Sequence, residues 1–136
     1  MKKRVLFLCT HNSARSQMAQ GLMNALLSEN YEAFSAGTFA TSINPFAIEV
    51  MKEIGIDISN QYSKNFDMYL NDEFDYVVTL CDNAKEGCPY FPGGKEQFHK
   101  KFEDPASFSG TKEEKLDKFR EVRDKIKDWI VDFFRT

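Results

Sequence analysis

Apolar positions along the 136 residues fall into short continuous runs and longer helical repeats that alternate. Val5-Leu6-Phe7-Leu8 is a continuous apolar run with a basic flank, which predicts a strand buried on both faces of a parallel sheet. Residues 9–16 are small and polar. From Ser16 the spacing predicts a helix with Met18, Leu22, Ala25, Leu26 and Leu27 on its buried side. Tyr31 to Ala36 alternate loosely and stop at Gly37, which predicts a second strand and a turn. Asn44-Pro45 reads as an N-cap and a first helical residue. The helix behind it turns Ala47, Ile48, Met51 and Ile54 inward and ends at Gly55. A short helix is expected within 64–73. Phe74 to Leu80, rich in β-branched and aromatic residues, predicts a third strand.

Residues 81–97 are broken by glycines and prolines and read as loop-rich, with a last strand over 98–102 that runs into Glu103-Asp104-Pro105. Leu116, Phe119, Val122, Ile126, Trp129, Ile130 and Phe133 recur at spacings of three and four, so a long amphipathic helix closes the chain. Strands alternating with helices predict an α/β fold: a single three-layer domain over 1–136, with a mainly parallel four-stranded sheet flanked by helices.

Composition supports one globular domain: 42% of residues are apolar and 13 are Phe. The formal charge of −3 excludes a nucleic-acid binder that works by bulk electrostatics, and leaves room for an anion at one local site. No run approaches the ~20 apolar residues of a membrane span. The apolar run behind MKKR is five residues long, too short for a secretory leader. A cytoplasmic monomer with reduced thiols is expected. Three cysteines are too few for a disulfide framework, so each needs its own explanation.

The densest chemistry lies in Cys9-Thr10-His11-Asn12-Ser13-Ala14-Arg15-Ser16. A cysteine ends a buried strand and an arginine opens a helix six positions later. Backbone N–H groups of such a loop converge on a tetrahedral oxyanion. The helix N-terminus adds positive potential, and a guanidinium grips two oxygens. The same field favours the thiolate of Cys9, a nucleophile. Ser13 and Ser16 can donate hydroxyl hydrogen bonds to the loop or to the sulfur.

This C-x5-R-S after a first strand resembles the low-molecular-weight tyrosine phosphatase fold. Within it, Cys9 through Gly21 is similar to the opening of the thioredoxin-coupled arsenate reductases. The resemblance continues through Ser35-Ala36-Gly37, Asn44-Pro45, Gly55 to Ser59, Val77 to Cys81, Cys88-Pro89, Asp104-Pro105 and Arg120 to Ile126. It implies an arsenate reductase with residual phosphatase activity. Arsenate would be held by loop 10–16, with Cys9 as nucleophile, Arg15 as anion clamp and Asp104 as general acid. Cys81 and Cys88 would pass the disulfide outward to thioredoxin as external reductant, with no bound cofactor.

Bottom-up placement is compatible with that relay. Cys9 and Cys81 each follow a strand, so a parallel sheet puts them at one edge. Zinc held by Cys9, Cys81, Cys88 and His99 is disfavoured because no C-x2-C spacing exists, and no metal is expected. The alternative function is a phosphatase acting on phosphotyrosine or a small phosphoester, which needs Cys9, Arg15 and Asp104 but neither other thiol. Ala106 and Ser107 follow Asp104-Pro105 where that class carries aromatic residues, which favours the reductase.

Four features depart from the reductase pattern. His11 stands where glycine is common, and Ala14 where some members have a further cysteine. Lys100-Lys101 replaces tryptophan-glycine. Gln20 and Lys64 replace two carboxylates that help some members hold potassium, so no potassium dependence is expected.

Overall fold

The computed structural model describes residues 2–81 and 91–134. Strands β1 (Lys3–Cys9), β2 (Tyr31–Gly37), β3 (Phe74–Thr79) and β4 (Gly94–His99) form one sheet in the order β2-β1-β3-β4. All three pairings are parallel. The described helices are α1 (Arg15–Leu26), α2 (Pro45–Lys52) and α3 (Lys112–Phe134), with short 3-10 helices at Phe66–Tyr69 and Pro105–Ser107.

The strands read as continuous apolar runs because both faces of the sheet are covered. Side chains alternate between faces along β1. Val5 and Phe7 join Ala33 and Val78 in one cluster with the buried sides of α1, α2 and α3. Leu6 and Leu8 point the other way, into a cluster with Ala36, Phe74, Val77 and Phe91, against which Phe34, Phe66 and Tyr69 pack. That second layer is largely aromatic, and its rings meet edge to face, as Phe34 and Phe91 do with Phe74.

Helix boundaries follow local chemistry. The Asn44 side chain accepts a 2.9 Å hydrogen bond from the Phe46 N–H, and Pro45 is the first helical residue of α2. Gly55, at φ +80°, lets the chain turn back so that the Ile56 N–H donates to the Met51 carbonyl at 3.0 Å. At the start of α3, the Glu114 N–H donates to the Thr111 hydroxyl and the Thr111 N–H donates to the Glu114 carboxylate, a reciprocal cap. Arg123, nearly buried, ties α3 to α2: its Nη1 donates to the Val50 carbonyl at 2.7 Å and pairs with Glu53 at 3.1 Å.

The structure corrects four details. Ala25 and Leu26 are exposed, and Ala19 and Met23 are buried in their place. The first turns of α1 are enclosed by the sheet and by the 58–61 segment, which crowds Gly21 and bonds Gln17, so burial there is not confined to one stripe. The last strand runs over Gly94–His99 rather than 98–102. It is an edge strand carrying exposed Lys95, Glu96 and Gln97, so it had no apolar signature. Residues 100–102 only continue its hydrogen bonds, from Lys100 N–H to Thr79 and from Phe102 N–H to Leu80. At the end of α3, Phe134 is the buried ring, against Phe7 and Tyr31, while Phe133 stacks outside on Trp129. Within 64–73 only Phe66–Tyr69 is helical, as a 3-10 helix. Among the described residues no helix is long and apolar enough to cross a membrane.

Candidate active site

The strand order turns at β1: β2 lies on one side and β3 on the other. In a parallel sheet this switch point opens a crevice beyond the carboxyl ends of the strands. Cys9 is the last residue of β1, at that edge of the sheet, and is a free, buried thiol. Leu8 is level with Thr79 on β3, and the Leu80 N–H donates to the Leu8 carbonyl at 2.9 Å. Cys81 therefore leaves the neighbouring strand at the same edge, one residue beyond the position level with Cys9. Cys81 is fully buried and disulfide-bonded. Cys88 lies outside the described residues.

The loop from Thr10 to Ala14 joins Cys9 to the first turn of α1. Asn12 is completely buried and adopts φ 52°, a left-handed conformation that asparagine tolerates better than most residues. Ser16, on the first turn of α1, has its hydroxyl 2.8 Å from the Cys9 sulfur. Gly37 at the end of β2 closes the loop from below. A Cβ there would lie 2.7 Å from the Thr10 carbonyl, 2.8 Å from the Asn12 nitrogen and 2.9 Å from the Cys9 carbonyl, so only glycine fits. Flanking segments hold the outer side: the Phe39 N–H donates to Thr10, the Asn44 N–H to Ser13, and the Ser63 hydroxyl to His11.

Ala14 stands at the cap position before α1 and gives no side-chain cap, and the first turn carries no acidic residue. The other described α-helices both begin with a side-chain cap, at Asn44 and at Thr111. A helix end of this kind, beside a thiol, is suited to an anion. Arg15 is only 3% exposed and is aimed by the acid segment: its Nη1 donates to the Phe102 carbonyl at 3.2 Å, and its Nη2 lies 3.7 Å from the Asp104 carboxylate. Asp104 is held in turn, its Oδ1 accepting from the Ala106 N–H at 3.0 Å as it caps the 3-10 helix. The structure thus puts Ser16 on the Cys9 sulfur and, on the same turn of α1, Arg15 beside Asp104. Thr10, Asn12, Ser13 and Ala14 line the same loop, and His11 is on its exposed side.

The departures have structural consequences. Gln20 Oε1 accepts from the Ser35 hydroxyl. Lys64 is buried, its Nζ donates to the Tyr62 carbonyl at 2.7 Å, and its backbone N–H donates to Asn12 Oδ1. Burial pushes the Lys64 pKa down to about 8. An amide already engaged and an ammonium beside the loop do not suit a monovalent cation. Among the described residues no group of three or more His, Cys, Asp or Glu is placed to hold a metal ion. Lys100 and Lys101 are exposed. Sequence reasoning missed Gln17 and Gly37 as site residues. Gln17 lies inside the motif run that ends at Gly21, and Gly37 is level with Cys9 in the β1–β2 pairing.

Residues 4–136 match the family described as low molecular weight phosphotyrosine protein phosphatase. Among curated proteins, an arsenate reductase of Oceanobacillus iheyensis is 48% identical over 135 residues, covering 99% of this chain and 97% of that protein. A solved structure described as an arsenate reductase in the phosphate binding state superposes with a TM-score of 0.80 at 33% identity, covering 98% of this chain and 96% of that one. A thioredoxin-dependent arsenate reductase of Corynebacterium glutamicum superposes with a TM-score of 0.63 at 29% identity, over 93% of this chain and 59% of that one.

Proposed function

The chain belongs to the low molecular weight phosphotyrosine protein phosphatase family, and on that footing we propose that it is an arsenate reductase working through a three-thiol relay. Arsenate occupies loop 10–16, held by backbone N–H groups, the start of α1 and the Arg15 guanidinium. The Cys9 thiolate attacks arsenic, and Asp104 gives its proton to the departing oxygen, which leaves as water. The Cys81 thiolate then attacks the Cys9 sulfur. A Cys9–Cys81 disulfide forms, and the electron pair of the broken S–As bond stays on arsenic, which departs as arsenite. Cys88 attacks Cys81 and frees Cys9 as a thiolate. Thioredoxin, the external dithiol, reduces the Cys81–Cys88 disulfide.

The observation that carries this reading is position: Cys9 and Cys81 leave neighbouring parallel strands at one edge of the sheet. Cys9, at the mouth of an uncapped helix, is free, while Cys81 at the same sheet edge is disulfide-bonded. A phosphatase has no use for the second thiol. Curated relatives over the full chain are arsenate reductases, which supports the same choice.

The test is arsenate-dependent NADPH consumption with thioredoxin and thioredoxin reductase. Cys9→Ser is expected to abolish both arsenate turnover and nitrophenyl-phosphate cleavage. Cys81→Ser and Cys88→Ser are each expected to stop multiple turnover and leave the phosphatase reaction largely intact. Multiple turnover persisting in either variant would rule out the relay.

A further inference from the structure

The Ser16–Cys9 contact is symmetric in heavy atoms: either group can be the donor. The surrounding amides remove that ambiguity, because each faces a backbone group whose polarity is fixed. The Lys64 N–H can only donate, and it lies 2.9 Å from one end of the Asn12 side chain, which must be Oδ1. The other end is therefore Nδ2, which donates to Ser16 Oγ at 2.7 Å. Ser16 Oγ accepts from Asn12, so its own proton is left for the sulfur.

The same logic extends outward by two residues. The carbonyls of Asn12 and Tyr62 can only accept, at 3.0 and 2.9 Å from the Gln17 side chain. The Gln17 atom facing them is Nε2, whose two protons are shared among these carbonyls and Asn12 Oδ1 at 2.9 Å. The Gln17 carbonyl, 3.1 Å from the Gln61 side chain, fixes that atom as Nε2, which donates to Gln17 Oε1 at 2.7 Å. All these bonds point one way: Gln61 to Gln17, Gln17 to Asn12, Asn12 to Ser16, Ser16 to Cys9. Aligned hydrogen bonds polarise one another in a buried setting, and Asn12, Ser16 and Gln17 are all fully buried.

We infer that Gln17, held in place by Gln61, is a positioning residue that, together with the Lys64 N–H, holds the Asn12 amide in this direction and so directs the Ser16 proton onto the Cys9 sulfur. The inference rests on Cys9 being the nucleophile of the reading above. It adds a residue that touches neither substrate nor sulfur, reaching the thiol through two intermediaries.

Gln17→Met removes the donor with little change of shape. Gln17→Glu presents acceptors to three carbonyl oxygens and favours a reversed Asn12 amide. The readout is the rate of Cys9 alkylation by iodoacetamide, followed by peptide mass from about pH 5 to about pH 10, on either side of an ordinary thiol pKa. At neutral pH, Gln17→Glu is expected to react about tenfold more slowly, the worth of one hydrogen bond to an anion, with Gln17→Met between it and the wild type. The curves should merge in alkali, where the thiol ionises without help. Rates equal to wild type at every pH overturn the inference. So does a uniform loss at every pH, which is what a purely structural role gives. If neither variant folds, Gln61→Met, at a half-buried position, decides: slower alkylation at neutral pH only is expected, and an unchanged profile overturns it. Arsenate takes no part in this assay, so the inference can fail while the enzyme reduces arsenate, and can hold if it does not.

Discussion

Lys64 bonds the Cys9–Arg15 loop through its backbone N–H on Asn12 and turns its ammonium to the Tyr62 carbonyl, and burial pushes its pKa down to about 8 from the ordinary 10.5. Below that value both folded and unfolded chains carry the proton, and folding bears the full cost of desolvating the charge. Between about 8 and the ordinary value the unfolded chain holds the proton and the folded one does not, so this contribution to stability rises with pH. Lys64→Met should therefore gain roughly 1 kcal/mol near neutral pH, and the gain should fade in alkali. Thermal melts of both proteins across that range check it, and a gain that grows with pH contradicts it. Lysine at 64 was visible as a departure from the family pattern. Its burial was not, because nothing local marks an isolated lysine as enclosed.

The active-site loop is an element built by its neighbours. β1 delivers Cys9, α1 delivers Arg15 and Ser16, and β2 supplies the bare backbone of Gly37 under the turn. Gly37→Ala should shift the loop by a fraction of an ångström to relieve contacts of 2.7 to 2.9 Å with backbone atoms, which cannot rotate away. A displacement on the order of 1 Å at a reacting centre can cost about 100-fold in rate, so arsenate turnover should fall by about that factor while the far-ultraviolet dichroism stays folded. Turnover near wild type would show that the loop tolerates the methyl group. The strand–loop–helix order was legible from Val5 to Leu22 because it is a local pattern. β4 was misplaced because its side chains are polar at the sheet edge, where backbone pairing rather than burial makes the strand.

At the scale of the whole molecule, a ligand that binds only the folded state raises its stability in proportion to occupancy. Gln20 and Lys64 are both committed to protein partners, so replacing sodium chloride by potassium chloride at equal ionic strength should leave the melting temperature and arsenate turnover unchanged. A rise specific to potassium in either measurement would contradict this. The sequence by itself determined the α/β class, the parallel sheet and the strand–loop–helix stretch around Cys9, because each is carried by periodicity or by close spacing along the chain. The tertiary structure decided what lies far apart in sequence: Asp104 beside Arg15, Gly37 beneath Cys9, and Gln61 at the head of the hydrogen bonds that end on sulfur. A single polar residue has the same local appearance on a surface and in a core. Only the closed fold, which removes water and leaves buried donors only protein acceptors to find, gives it a direction.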